Sequence, residues 1–475
     1  MTSRRPNILF IMSDDHAAHA ISAYGSRINQ TPQLDRIAAE GVRLDNCHCT
    51  NAICTPSRAT IVTGQYGHTN GVTCWQPLDN HRPIQLQKLL GGCGYQTALF
   101  GKWHLDLPYP GHGVAGPIPG EPAGFDAWAT LKAQGPYHDP VFLTPQGELR
   151  CTGYTTDVIT DLALDWLEQR CSAQRPYYLC VHHKAPHSPW TSADRHKLLF
   201  ADEQIPVPQT FDDDYATRPA AGAARIRIPD HLEMEGNQPP GLSADERRHW
   251  WYQHFIKEYL RCVVAIDESV GRLLAALDRR GEAENTIVIY TSDQGYFLGD
   301  HGWADKRFIY EPTLRMPFLL RYPAEVPAAS VRSEILTNLD FAPTLLDYAG
   351  LPVPAEMQGV SGRSMLRGEV PADWQESFYY RYWDHGGRGV CSHYGVRTRT
   401  HKLVFYCPQP LTWSGKTEAY PQLEPYWELF DLQVDPHELS NRYGDPDYAA
   451  VQAQLHAELQ RLRLHYRDTD DEASV

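Results

Sequence analysis

The stretch Asn7-Ile8-Leu9-Phe10-Ile11-Met12-Ser13-Asp14-Asp15 decides the reading of this chain. A short continuous apolar run predicts a strand buried on both faces, as in a sheet covered by helices on either side. It ends at two adjacent acids. Ligand sites of open α/β sheets gather at the carboxyl ends of the strands, so Asp14 and Asp15 predict a polar pocket there. The pattern returns three times: Thr97 to Gly101 runs into Lys102-Trp103-His104, Tyr177 to Val181 into His182-His183-Lys184-Ala185-Pro186-His187, and Thr286 to Tyr290 into Ser292-Asp293-Gln294-Gly295. Helical stretches lie between. Thr31-Pro32 reads as a capped helix start, Thr155 to Gln169 is amphipathic, and Ser243 with Glu246 forms a capping-box signature opening a helix to about Arg280. The alternation predicts an α/β fold: a mixed, mostly parallel sheet flanked by helices.

The composition shifts after about residue 368, which divides the chain into a larger N-terminal domain over 1–370 and a smaller C-terminal subdomain over 371–475. The latter is expected to hold a small antiparallel sheet, with strands at Phe378 to Trp383 and Lys402 to Tyr406, and a helix over 447–465. Residues 106–150, rich in Gly and Pro, predict irregular loop; 190–242 predict a loop-rich insertion, and Asp468 to Val475 a frayed end. A net charge of −15 argues against nucleic acid or an anionic membrane as partner. No run approaches the roughly 20 apolar residues of a membrane span. Ile8 to Met12 is shorter than the about 7–15 apolar residues of a secretory signal, so a cytoplasmic location is the expectation. The 11 cysteines form no regular framework and are expected as reduced thiols, Cys47 and Cys49 included.

The acids and cations carry the chemistry. Carboxylates of Asp14, Asp15 and Asp293 gathered in one pocket repel unless a cation sits among them, and all-oxygen donors, with Gln294 adding a neutral carbonyl, suit a hard ion such as Ca²⁺ or Mg²⁺. Arg58, Lys102 and Lys306 beside that ion would bind a tetrahedral anion. His104 and His187 are placed to move protons. Taken singly each residue has an ordinary reading: an Asp pair caps a turn, a Lys or Arg is a solvated charge, a His is a satisfied core residue. His182, His183 and His301 stay in that class.

Together these residues carry a resemblance. Cys54-Thr55-Pro56-Ser57-Arg58, followed by Thr63-Gly64, resembles the C-x-P-S-R signature of the type I, formylglycine-dependent sulfatases of the alkaline phosphatase superfamily. Around it, in the family's order, stand Asp14-Asp15, Gly101-Lys102-Trp103-His104, Pro186-His187-Ser188-Pro189, Ser292-Asp293-Gln294-Gly295, Gly299-Asp300-His301-Gly302-Trp303-Ala304-Asp305-Lys306, and finally Glu428-Leu429-Phe430-Asp431 with Asp435-Pro436-His437-Glu438. The resemblance spans residue 6 to about 445. Gln65 stands where many relatives have Arg, and Asp106 where Gly is common.

The resemblance implies an alkaline-phosphatase-like fold and a sulfuric ester hydrolase acting on a small sulfate monoester, a sulfated sugar or aryl sulfate. It implies that a formylglycine-generating maturation enzyme oxidises Cys54 to 3-oxoalanine. The hydrated aldehyde has two hydroxyls, one to attack sulfur and form a covalent sulfo-enzyme, the other to expel sulfate. Asp14, Asp15, Asp293, Gln294 and an oxygen of modified residue 54 would hold Ca²⁺, or Mg²⁺. Arg58 would steady the nucleophile, Lys102 and Lys306 grip sulfate, His187 protonate the leaving alcohol and His104 take the proton of the second hydroxyl. Arg381, Tyr382, His385 and His393 are candidates to line the pocket mouth, with sheet packing as their alternative reading. Two other functions fit the same motifs: a phosphodiesterase or phosphonate monoester hydrolase of the superfamily, and a binding protein that is never matured. The sequence says nothing of oligomeric state.

Overall fold

The computed structural model describes residues 5–26, 28–106, 121–228, 239–407 and 423–468. Its strands are β1 (Asn7–Ser13), β2 (Val42–Leu44), β3 (Cys47–His48), β4 (Gln96–Gly101), β5 (Ala127–Leu131), β6 (Val141–Thr144), β7 (Gly147–Arg150), β8 (Tyr177–His182), β9 (Thr286–Ser292), β10 (Phe318–Arg321), β11 (Ser330–Arg332) and β12 (Leu336–Thr337). Ten of them form one sheet in the order β11-β2-β10-β9-β1-β8-β4-β5-β6-β7. β1 pairs in parallel with β8 and β9, and β4 in parallel with β8 and β5, whereas β10, β6 and β7 run antiparallel to their neighbours.

β1 is buried along its whole length, and its side chains alternate between two cores. Ile8, Phe10 and Met12 join a cluster with Ile61 and Leu345; Leu9 and Ile11 join another with Leu34, Ile159 and Ile266. The second face is covered by the helices Pro32–Ala39, Thr155–Asp165 and Ala244–Arg280. The capping box of Ser243 and Glu246 is formed, and the long helix stops at Gly281 with φ 65°. Thr31 does not cap its helix; Asp267 of the long helix does, accepting the amides of Gln33 (3.0 Å) and Leu34 (2.8 Å).

Register explains why scattered motifs meet. Met12 and Gly101 both stand opposite His182, and Ser13 opposite Ser292. The central strands β4, β8, β1 and β9 therefore end level, and the next residues of each, Lys102, His183, Asp14 and Asp293, leave the sheet along one edge.

Two expectations change. Residues 127–150 carry three strands rather than loop; β6 and β7 form a short hairpin, β6 with Phe142 buried and β7 exposed throughout, and 107–120 lie outside the described residues. Asp468 is buried, accepting from Arg381 and from Tyr379 Oη (2.8 Å), while 469–475 lie outside the described residues.

The second sheet, β13 (Ser377–Tyr382), β14 (His393–Thr398), β15 (His401–Tyr406) and β16 (Tyr426–Asp431), is antiparallel. One face carries Tyr379, Tyr394 and Leu403 against the helix Ala449–Tyr466; the other carries Phe378, Tyr380 and Tyr382 into the main core. The two sheets are also joined by buried charge. Lys402 of β15 donates to Glu438 (2.5 Å) and lies 3.0 Å from Glu311, and Glu438 accepts the Glu311 amide at 2.7 Å. Among the described residues no helix is long and apolar enough to cross a membrane, and all 11 cysteines are free thiols.

Removing one partner of a buried ion pair leaves the other charge uncompensated, at a cost of about 3–5 kcal/mol. Lys402→Met, which keeps the volume and removes the charge, is expected to lower unfolding stability by about that much in denaturant titration. A loss under about 1 kcal/mol, the size of an exposed pair, would contradict this account of how the two sheets are joined.

Candidate active site

The helix Cys54–Thr63 begins at the level edge of the sheet with all ten residues buried. Its N-cap, Ile53, offers no side-chain cap, so the first turn presents amides to the pocket, a setting that favours an anion. One turn in, Arg58 ties three strand ends together. Its Nε donates to Asp293 Oδ2 (2.9 Å), its Nη1 to the Lys102 carbonyl (2.7 Å), and its Nη2 lies 3.7 Å from Asp14 Oδ2. Ser57 donates to the Asp293 carbonyl and accepts from Asn338 Nδ2 (2.8 Å).

After β1 the chain turns through Asp15, held at φ 65°. Asp293 Oδ1 accepts the amides of Asp15 (3.2 Å) and Gln294 (3.1 Å), which fixes the acids side by side. Lys306 donates to both Asp15 oxygens (2.5 and 2.7 Å), and Gln294 Nε2 donates to Asp15 Oδ1. Lys102 pairs with Asp14. It follows Gly101, whose φ is 112° and whose Cβ, if it had one, would lie 1.9 Å from the His182 carbonyl, so only glycine fits this exit from β4. His187 Nε2 is 3.7 Å from Asp15 Oδ2 and its Nδ1 donates to the Ser188 carbonyl at 2.5 Å. His104 Nδ1 lies 3.4 Å from Thr55 Oγ1.

Burial and the gathered charges set the protonation states. Burial raises the Asp14 carboxyl, but the charges of Lys102 and Arg58 outweigh it and hold the group well below the usual carboxylate range. Asp15 is pushed up to about 7 by burial, with Asp14 and Asp293 adding to the rise against Lys306. Burial, then Asp14, also raises Asp293. His104 and His187 are held below the ordinary imidazole range, by burial and then by Lys102 and Lys306 respectively, so both are neutral. Burial raises the Cys54 thiol against the pull of Lys102 and Lys306, which disfavours the thiolate.

The donor set fits a hard cation. Asp14 Oδ1 and Gln294 Oε1 are buried with no hydrogen-bond partner, a costly arrangement for two oxygens. Ligand atoms of Asp14, Asp15 and His187 lie within 4.8 Å of one another. A cation among these acids would satisfy the orphan oxygens and offset the burial and mutual repulsion that lift Asp15 and Asp293.

The Sulfatase family model matches residues 6–351, and that of the C-terminal region of N-sulphoglucosamine sulphohydrolase matches 299–465. The chain belongs to the sulfatase family. This sulfatase is 38% identical to the N-acetylglucosamine-6-O-sulfatase of Bacteroides thetaiotaomicron, across 98% of this chain and 88% of that one. It is 26% identical to human N-acetylglucosamine-6-sulfatase, across 92% and 81%. It superposes with a TM-score of 0.87 and 36% identity on a protein solved in complex with its substrate D-glucosamine-2-N,6-O-disulfate, covering 99% of this chain and all of that one.

The sulfatase's structure brings Asp14, Asp15, Cys54, Arg58, Lys102, His104, His187, Asp293, Gln294 and Lys306 to one buried edge. It treats the four C-terminal candidates differently. Tyr382 Oη accepts from Arg307 Nη1 (3.0 Å), the residue after Lys306, and Arg307 also pairs with Asp384 (2.8 Å). His385 Nδ1 accepts the Ser392 amide at 3.3 Å. His393 is fully buried between Tyr380 and Tyr382, and Arg381 points to the opposite face, paired with Asp468 and 3.5 Å from the Trp383 ring centre. Strand alternation separates Arg381 from Tyr382, so these two residues cannot line one pocket wall. His182 and His183 are buried with partners Lys102 O and Ser269, and His301 pairs with Asp213 (2.6 Å).

Gln134, on the loop after β5, was invisible to sequence reading: it sits in the Gly- and Pro-rich segment and belongs to no motif. It accepts from Lys102 and approaches His104. Trp75, with its ring centre 6.1 Å from that of His104, also belongs to no motif.

Arg58→Lys keeps the charge but loses the planar fork that reaches Asp293 and the Lys102 carbonyl together. Sulfate-ester turnover is expected to fall about 100-fold in steady-state kinetics, with stability lower by about 1–3 kcal/mol for the buried carbonyl left unpaired; wild-type turnover would show that the fork is not needed.

Proposed function

We propose that this sulfatase hydrolyses the 6-O-sulfate of N-acetylglucosamine or an N-sulfated glucosamine, using formylglycine made from Cys54 and a calcium ion held by Asp14, Asp15, Asp293 and Gln294. The observation that carries the substrate reading is 38% identity over 98% of the chain to an N-acetylglucosamine-6-O-sulfatase. The nucleophile and ion are supported by the C-x-P-S-R helix start, the thiol disfavoured as thiolate, and the two orphan oxygens.

When present, the ion would supply positive charge against the acids and the sulfate, and oxidised residue 54 a hydroxyl nucleophile. The chain's own side chains do the rest. Lys102 and Lys306, entering from the ends of different loops, bind sulfate oxygens and stabilise charge that builds during transfer. Arg58 opposes the rise of the Asp293 carboxyl and holds it by Nε. His187, whose Nδ1 proton is spent on the Ser188 carbonyl, offers Nε2 to the leaving sugar oxygen; the incoming sulfate's negative charge favours its protonated form. His104, neutral beside Thr55, accepts a proton from residue 54.

Sulfate release from N-acetylglucosamine-6-sulfate should be readily measured, and an aryl phosphonate assayed in parallel should react far more slowly; the reverse preference would replace this reading with the phosphonate hydrolase. Cys54→Ala should lose at least about 10⁴-fold in kcat. The active protein's Cys54 peptide should be lighter by about 18 Da, the change from thiol to aldehyde. Full activity with an unmodified thiol would remove the nucleophile from the scheme. Dialysis against a chelator should suppress turnover and calcium should restore it; indifference to both would remove the ion.

A further inference from the structure

Gln134 stands between the two groups the proposed chemistry needs most, and hydrogen-bond logic fixes what it does there. It lies half-buried on the loop after β5, next to Ala133 at φ 53° and Gly135 at φ 66°. The same loop sends Tyr137 Oη to the His187 carbonyl at 2.7 Å, so it is anchored to the active-site edge at two points. The Lys102 ammonium has donors only, so the oxygen of the Gln134 amide must face it. The amide nitrogen then faces His104 Nε2 at 3.5 Å. An amide N–H has nothing to accept with, so Nε2 must be the bare nitrogen of the ring. A neutral imidazole carries its one proton on the other nitrogen, and His104 Nδ1 has an acceptor, Thr55 Oγ1, at 3.4 Å. All three contacts agree on one tautomer.

We infer that Gln134 is a positioning residue that holds His104 in the tautomer with a bare Nε2, the form competent as a base, by anchoring its own amide on Lys102. The inference rests on the base role given to His104 in the proposed function. The amide contact must give way before Nε2 takes a hydroxyl proton, and at 3.5 Å it is long enough to be displaced. On accepting that proton the ring keeps its Nδ1 proton on Thr55 and becomes a cation, which later discharges to solvent. A side chain that only accepts hydrogen bonds at position 134 would reverse the arrangement: it would call for an Nε2–H and leave the lone pair on Nδ1.

The test uses two variants and two readouts. Gln134→Met keeps the length and removes both hydrogen bonds; Gln134→Glu keeps the shape and replaces the donor by an acceptor. Nitrogen-15 spectra of histidine-labelled protein bearing unconverted Cys54, with the His104 signal assigned by its loss in His104→Ala, report the tautomer without any turnover. Wild type is expected to show a bare Nε2 and a protonated Nδ1, and Gln134→Glu the inverse or a fully protonated ring. In matured enzyme, Gln134→Met should lower kcat about 10-fold and Gln134→Glu about 100-fold, the range for losing a general base. For Gln134→Met, the fall in kcat should exceed any change in KM, because a tautomer acts on the proton step, whereas loss of the Lys102 contact alone would appear in KM. A wild-type Nε2–H, an identical tautomer in both proteins, or an effect of Gln134→Met on KM alone would overturn the inference. Inactivity of wild type on every sulfate ester, with the tautomer as expected, would instead overturn the proposed function.

Discussion

Three buried carboxylates, those of Asp14, Asp15 and Asp293, are pressed together at one edge of a sheet, and their mutual repulsion is the constraint around which the site is built. Burial removes the water that would screen them. What keeps them there is a shell of matching charge and amides: Arg58 across Asp293 and Asp14, Lys102 on Asp14, Lys306 on Asp15, and two backbone N–H groups on Asp293. Even so Asp15 is lifted to about 7, and two oxygens go unpaired. A site with that remaining deficit is built for a cation, and beside a cation and two lysines it is suited to an anionic ester.

The fold supplies the convergence. Four parallel neighbours ending level bring residues 14, 102, 183 and 293 to one line, although they are far apart in sequence. The helix that begins at Cys54 then crosses this line, and one arginine a turn later fastens it. Further out, the small sheet meets the segment after Lys306 through Tyr382 and Arg307, and is fastened to the main domain by the buried group of Lys402, Glu311 and Glu438. Glu438 belongs to the Asp435-Pro436-His437-Glu438 motif, so that segment acts in packing, at a distance from the chemistry.

Much of this was legible in the sequence because it is local. An apolar run ending in acids, a Pro after a Thr and an Ser243–Glu246 box each announce an element by their own chemistry, and the fold class followed. The ring of charged residues was legible only as a set, through their order along the chain. What escaped depended on tertiary contact. The cap of the first helix comes from Asp267, some 230 residues away from Leu34, where Thr31 had the right chemistry but the wrong geometry. Strands β6 and β7 were hidden because each is only four residues long, and β7, exposed throughout, needs no apolar pattern. Arg381 and Tyr382 are adjacent in sequence, yet strand alternation sends one to Asp468 and the other to Arg307. Gln134 has no sequence signal at all; its role exists only because a loop brings it between Lys102 and His104.

The acids are proposed to form a cation site next to residue 54. Anomalous scattering from a crystal grown with calcium, or with manganese as its substitute, tests it most directly. One strong peak is expected within about 2.6 Å of Asp14 Oδ1 and Gln294 Oε1, the oxygens left unpaired, and in contact with residue 54. A fully occupied pocket with water and lysine in that position and no peak, or a peak on other ligands, would contradict the account.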